Sequence, residues 1–113
     1  MDIAFPRGDS YEFSFSIRDE ETGEVITEPF DAIYFTVKRN YQDKDPVLQL
    51  SLSGGSIMAD GDGQYSVFFL PSDTEKLRFG TYDADIEVDR YDYCKTFSFK
   101  FTMLPETTHY NNK

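Results

Sequence analysis

From Gly80 to Leu104 the chain alternates apolar and polar residues with a period of two, and this alternation limits what it can fold into. Tyr82, Ala84, Ile86 and Val88 are interleaved with Asp83, Asp85, Glu87 and Asp89. After Arg90-Tyr91-Asp92 the pattern resumes, with Phe97, Phe99, Phe101 and Met103 set against Thr96, Ser98, Lys100 and Thr102. A period of two sends successive side chains to opposite faces of a strand, whereas an amphipathic helix repeats near 3.6. Two such runs around a polar break predict an antiparallel hairpin. With Arg90 and Tyr91 as its turn, the numbers of paired residues sum to an odd total. Both apolar sets then share one face, as a core requires.

Upstream the alternation recurs in shorter runs. Residues 3–5 fit a short edge strand closed by Pro6, and Tyr11, Phe13, Phe15 and Ile17 mark a strong strand. A polar turn over 19–24 leads to a brief return at Val25-Ile26, and Ile33, Phe35 and Val37 define the next strand. Leu48, Leu50 and Leu52 alternate after a polar loop over 39–46, and Gly54-Gly55 ends that run. Ile57-Met58 fits a short pairing before the turn Asp60-Gly61-Asp62-Gly63, and Tyr65, Val67 and Phe69 form the inner set that follows. One helical signal stands out: Ser72 three residues before Glu75, after Pro71, is a capping-box spacing, with Leu77 packing back on the core. The expectation is an all-β sandwich of about seven antiparallel strands, with one short helix near residues 72–77.

At 113 residues the chain has the length of one domain, expected over 1–105 with a polar tail over 106–113. Phe and Tyr supply an aromatic content of 17% with no Trp, which suits sheet packing. A net charge of -10 and a pI near 4.3 disfavour nucleic acid, whose phosphates need a basic surface, and disfavour anionic membranes. Cys94 is the only cysteine, so no intrachain disulfide forms, as suits a reducing cytoplasm. The N-terminus lacks the basic and apolar regions of a signal peptide, and no apolar run approaches the roughly 20 residues of a membrane span.

Gly80-Thr81-Tyr82, after a short helix, resembles the corner leading into the sixth strand of immunoglobulin-like domains, where a Tyr hydroxyl ties the corner to upstream backbone. The corresponding core cysteine is replaced by Ala84 and the hallmark Trp is missing, which sets antibody-type domains aside. A longer series is similar to small immunoglobulin-like modules of phages and prophages of Gram-positive bacteria, the N-terminal domain of baseplate upper proteins being the nearest type. The series comprises the Gly8-Asp9 turn, the polar stretch 19–23, Phe35-Thr36-Val37-Lys38, the segment 43–49, Gly63-Gln64-Tyr65, Pro71-Ser72-Asp73-Thr74, Leu77, the run 80–86 and Leu104-Pro105-Glu106-Thr107. The resemblance implies an immunoglobulin-like β-sandwich serving as a virion structural module of tail, baseplate or neck. It brings no catalytic residues.

Chemistry is sparse in the remaining motifs. Arg7-Gly8-Asp9-Ser10 matches an integrin-binding tetrapeptide, but a Gly-Asp turn that launches a strand accounts for it. Asp60-Gly61-Asp62-Gly63 looks like the start of a calcium loop, yet position twelve, where an EF-hand needs a bidentate acid, is Pro71. A hairpin turn using glycine at positive φ is the simpler account. Asp83, Asp85, Glu87 and Asp89 share a strand face. At about 7 Å between i and i+2 they stand too far apart for a shared-proton dyad, and Lys95 and Lys100 on the next strand offset them only partly. Cys94 has no second cysteine, and the only histidine, His109, lies in the tail and would have to fold back to reach it, so no nucleophile pair or zinc set is expected. No catalytic, cofactor or metal residues are expected, and the chain is expected not to be an enzyme.

The expected function is protein–protein docking to other virion or prophage-encoded proteins, with no nucleic acid or membrane and with a homo-oligomer possible. Localisation is expected in the virion, assembled in the bacterial cytoplasm. Candidate partner-binding residues are Tyr41 and Asp43 in the long loop, Asp83, Asp85 and Glu87 on the acidic strand, and Tyr91 and Tyr93 at the last hairpin, since exposed tyrosines are common at binding surfaces. The alternative is a bacterial surface adhesin or carbohydrate-binding β-sandwich, which calls for an exposed aromatic platform.

Overall fold

The alternating runs become strands that sort into two facing sheets. A computed structural model describes residues 2–105. The expected tail, with His109, lies outside the described residues. In chain order the elements are β1 (Ile3–Pro6), β2 (Tyr11–Ser16), β3 (Ala32–Lys38), β4 (Leu48–Ser51), β5 (Ile57–Gly61), β6 (Gln64–Phe69), α1 (Pro71–Thr74), β7 (Gly80–Arg90) and β8 (Tyr93–Leu104). One sheet runs β1-β8-β7-β3-β4 and the other β2-β6-β5. The chain is a predominantly β sandwich, as its periodicity requires.

Two details differ from expectation. There are eight strands among the described residues, and β1 pairs with β8 in parallel, Ile3 opposite Phe101 and Phe5 opposite Met103. The cause is the turn after β1. Gly8, at φ 81°, swings the chain from one sheet to the other, so β2 cannot be the partner of β1. Parallel pairing with the end of β8 buries both Ile3 and Phe5.

In the β7–β8 hairpin Arg90 pairs with Tyr93, so the turn is Tyr91-Asp92, one residue later than expected. The parity of the register is unchanged. Tyr82 faces Phe101, Ala84 faces Phe99 and Ile86 faces Phe97, all on the core side. Phe35, Phe69 and Phe101 meet at the centre, with ring centroids 5.3 Å apart for Phe35–Phe69 and 5.8 Å for Phe69–Phe101. Each belongs to a different strand, and Phe69 comes from the opposite sheet. Burying a side chain of this size contributes about 1.5–3 kcal/mol.

The helix is a single turn and begins earlier than the Ser72–Glu75 spacing suggests. Pro71 takes its first position, where a missing N–H costs nothing, and Leu70 caps it. The Leu70 N–H donates to the Asp73 carboxylate at 2.7 Å and the Asp73 N–H to the Leu70 carbonyl at 2.9 Å. Ser72 therefore lies inside the turn, while Leu77 packs on the core as expected. Beyond it, the Tyr82 hydroxyl donates to the Arg78 carbonyl at 2.8 Å and fixes the entry into β7. At the other end Gly61, Asp62 and Gly63 all take positive φ. A Cβ on Gly63 would sit 2.5 Å from the Ile26 carbonyl oxygen, so glycine is required there.

Candidate functional site

The outer face of the five-stranded sheet gathers the carboxylates that the alternation pushes away from the core. Along β7, Asp83, Asp85, Glu87 and Asp89 point outward because Tyr82, Ala84, Ile86 and Val88 point in. Register sets their neighbours: Lys38, Thr36, Tyr34 and Ala32 on β3, and Lys100, Ser98, Thr96 and Cys94 on β8. Lys95 is not among them. It lies opposite Val88, on the other face, and its ammonium meets Glu20 at 2.6 Å. This corrects the expectation that Lys95 offsets the acidic strip: parity places it on the wrong side.

Only one of the four acids is fully answered. Lys100 reaches Asp83 at 2.6 Å. Asp85, Glu87 and Asp89 have no salt bridge among the described residues. Partial burial pushes the Asp85 carboxyl above its ordinary range, and the charge of Lys38 offsets this in part. Glu87 is raised too, chiefly by its hydrogen bond with Asp89, then by burial and by the negative charges of Asp89 and Asp85. Here the expected separation needs correction. The sequence spacing places these side chains about 7 Å apart, yet the carboxylate oxygens of Glu87 and Asp89 and the Cys94 sulfur all lie within 4.8 Å of one another. Cα spacing does not fix where a glutamate's two extra torsions bring its carboxyl.

Cys94 joins this cluster as a donor. Its hydrogen bond to Asp89, with the nearby negative charge, raises the thiol to about 11 although the residue is exposed. A thiol held protonated at neutral pH is a poor nucleophile. As metal ligands Glu87, Asp89 and Cys94 are, among the described residues, one short of a closed zinc shell.

The other candidates are dispersed. Tyr41 is exposed and follows β3 at its Lys38 end, near Lys100, whereas Tyr91 is 99% exposed at the opposite end of the sheet. Asp43 is half-buried, and its N–H donates to the Asn40 carbonyl in the turn. Tyr93 faces inward: its ring lies 6.0 Å from Phe30, and the Arg90 guanidinium stacks 5.4 Å from it. The structure thus brings Asp83, Asp85 and Glu87 together, with Tyr41 near the Lys100–Asp83 pair, and sets Tyr91 and Tyr93 at the other end of the sheet.

Both short motifs are occupied by structural contacts. Arg7 donates to the Leu77 carbonyl at 3.2 Å and lies 4.3 Å over the Phe79 ring, while the Gly8 N–H donates to the buried Thr74 hydroxyl at 2.9 Å. Arg7 is thus directed toward the link between α1 and β7. In the Asp60–Gly63 turn the Asp60 carboxylate accepts the Ser66 hydroxyl.

One surface escaped the sequence reading. Because β1 pairs only with Phe101–Leu104, the β8 stretch 94–100 forms an edge, and Phe97 is 37% exposed rather than buried. Beside it opens a groove of about 480 Å³ between the sheets, lined by Phe15, Ile17, Ile86, Phe97 and Phe99. The signal was present in strand lengths: a strand over residues 3–5 cannot cover the last run of the chain.

No family model matches the chain, and no curated protein does. Among solved structures, the chain is similar to part of an endo-β-1,4-mannanase from Thermotoga petrophila, with a TM-score of 0.59 and 15% identity over 93% of this chain and 18% of that one. Part of a family 123 glycoside hydrolase from Clostridium perfringens aligns with a TM-score of 0.40 and 12% identity over 94% of this chain and 23% of that one. The chain thus spans about a fifth of the length of these enzymes. The first likeness concerns the fold alone, and the second is too distant to add to it.

Proposed function

We propose that this chain is a non-catalytic immunoglobulin-like module that docks, through the outer face of its five-stranded sheet, to basic surfaces of neighbouring proteins in a phage or prophage particle. The observation that carries the docking reading is the row Asp85, Glu87 and Asp89: partly buried carboxylates crowded together with no salt bridge among the described residues. Such a row is relieved when a partner brings lysine or arginine, which favours fast and selective association. The immunoglobulin-like assignment is supported by the division of strands between sheets and by the Tyr82–Arg78 corner. The particle context is supported by the order of turn and strand signatures from Gly8-Asp9 to Leu104-Pro105. The partners are other virion or prophage-encoded proteins, and assembly takes place in the bacterial cytoplasm.

The test joins genome and bench. Genes for tail, neck or capsid proteins should flank this one, and co-expression with those products should yield a complex. Asp85→Ser with Glu87→Ser should weaken that complex at least about tenfold while the fold is retained. Undiminished binding by that variant would remove the acidic face from the proposal. A carbohydrate-binding module needs aromatic rings side by side, whereas Tyr41 and Tyr91 stand at opposite ends of the sheet.

A further inference from the structure

We infer that the open edge of β8 and the apolar groove beside it form a receptor for one added β-strand, supplied by a partner segment that alternates bulky apolar with basic residues. This deepens the docking reading above and rests on it. Three observations converge on the site.

The first is the ladder. The Lys100 N–H points to the β1 side of the sheet, where the Asp2 carboxylate accepts it at 3.0 Å, and the Leu104 carbonyl on the same side accepts the Arg7 N–H. With a period of two, the backbone groups of Ser98, Thr96 and Cys94 face that side as well. Among the described residues no strand lies beside them, because β1 pairs only with Phe101–Leu104. An exposed row of this kind is a template for a further strand.

The second is the groove. Its apolar lining is Phe97 and Phe99 on β8, Phe15 and Ile17 on and just after β2, and Ile86 on β7, and Arg18 lines it as well. At about 480 Å³ it falls in the size range of side-chain and ligand pockets. A strand that takes up the line of β1 beyond Asp2 turns alternate side chains into this space, where bulky apolar residues cover Phe97.

The third is charge. The remaining side chains of the added strand lie on the outer face, beside Cys94, Thr96 and Ser98. These residues are short. Two strand spacings, about 10 Å, separate the newcomer from β7, a span covered together by a lysine or arginine stem and a β7 carboxylate reaching toward it. The cations then meet Glu87 and Asp89, which have no salt bridge among the described residues. One alternating peptide therefore satisfies the open ladder, the apolar groove and the acidic strip together.

The probe is a labelled heptapeptide, Lys-Val-Lys-Phe-Lys-Val-Lys, titrated against the full chain by fluorescence anisotropy. A control peptide has the same composition with its apolar residues contiguous. The alternating peptide should bind with a Kd of about 10–100 μM and weaken severalfold when salt rises from about 50 to about 300 mM. Ser98→Pro removes only an N–H that faces the open edge, so the β7 ladder survives while binding falls at least about tenfold. Phe97→Ser tests the groove wall independently and should weaken binding similarly. In hydrogen exchange, the Thr96 and Ser98 amides should gain protection with the peptide, whereas the inward-bonded Phe97 and Phe99 amides should not change. Equal binding of both peptides, or binding untouched by Ser98→Pro and Phe97→Ser, overturns the proposal. If the peptide fails to bind while Ser98→Pro abolishes self-association in sedimentation, the edge belongs to a second copy and the proposal is also overturned. The docking reading is judged separately, by the Asp85→Ser, Glu87→Ser variant against particle proteins, so either idea can fail alone.

Discussion

Tyr82 shows how one residue joins core and corner. Its ring packs edge-on against Phe101 at 6.4 Å, and its hydroxyl donates to the Arg78 carbonyl. Tyr82→Phe keeps the ring and leaves that carbonyl without its donor, so a loss of about 1 kcal/mol is expected, read as a fall of about 4–8 °C in Tm. Calorimetry of the two proteins checks it. Cys94 makes a second residue-scale case. With its thiol raised to about 11 by Asp89, it should react with an alkylating reagent at pH 8 at least about tenfold more slowly than free cysteine despite its exposure. Asp89→Asn should restore most of the rate, and a wild-type rate equal to that of free cysteine would contradict the hydrogen bond. The Gly80-Thr81-Tyr82 step was legible in sequence, because a tyrosine after a glycine at a strand entry has few uses. The Cys94–Asp89 contact was not, since it joins residues paired across a hairpin whose exact turn the sequence misplaces by one.

At the scale of the strand, β7 combines a buried face with a crowded acidic one, and its behaviour with pH follows. Asp85 and Glu87 have folded pKa values raised above their ordinary ones. A raised carboxyl binds its proton more tightly when folded, so its contribution to stability falls as pH climbs from the ordinary carboxylate range through the raised value. Glu87→Gln removes the repulsion while keeping a donor toward Asp89. The variant should therefore be more stable than wild type at pH 7, by less than about 1 kcal/mol given the exposure of the group. The advantage should shrink as pH falls through the raised Glu87 value into the ordinary carboxylate range, as Glu87 takes up its proton. Thermal melts of both proteins between these limits decide it, and a pH-independent difference would count against the Glu87–Asp89 contact. The alternation announced which residues lie outside on β7. It did not announce that Glu87 and Asp89 touch, because side-chain torsions beyond Cβ leave no mark on a period-two pattern.

For the whole molecule, the sandwich is closed by aromatic residues drawn from both sheets. Phe101 is fully buried and meets Phe5, Phe35, Phe69 and Tyr82. Phe101→Ala should cost about 3–5 kcal/mol, a large share of the 5–15 kcal/mol typical of a domain, and should lower the denaturation midpoint accordingly. A loss below about 1 kcal/mol would mean that the two sheets do not meet at this ring. What the sequence determined by itself was local: which runs are strands, which side chains point inward, and that Gly63 stands where the chain must turn with positive φ. These follow from hydrophobic periodicity and backbone sterics, which act over a few residues. Tertiary structure alone decided that β1 lies parallel to β8, that Lys95 turns to Glu20, and that Phe97 is left at an open edge beside a groove. Each of those depends on pairing between segments tens of residues apart, where burial of the whole apolar surface, and not any local preference, selects the partner.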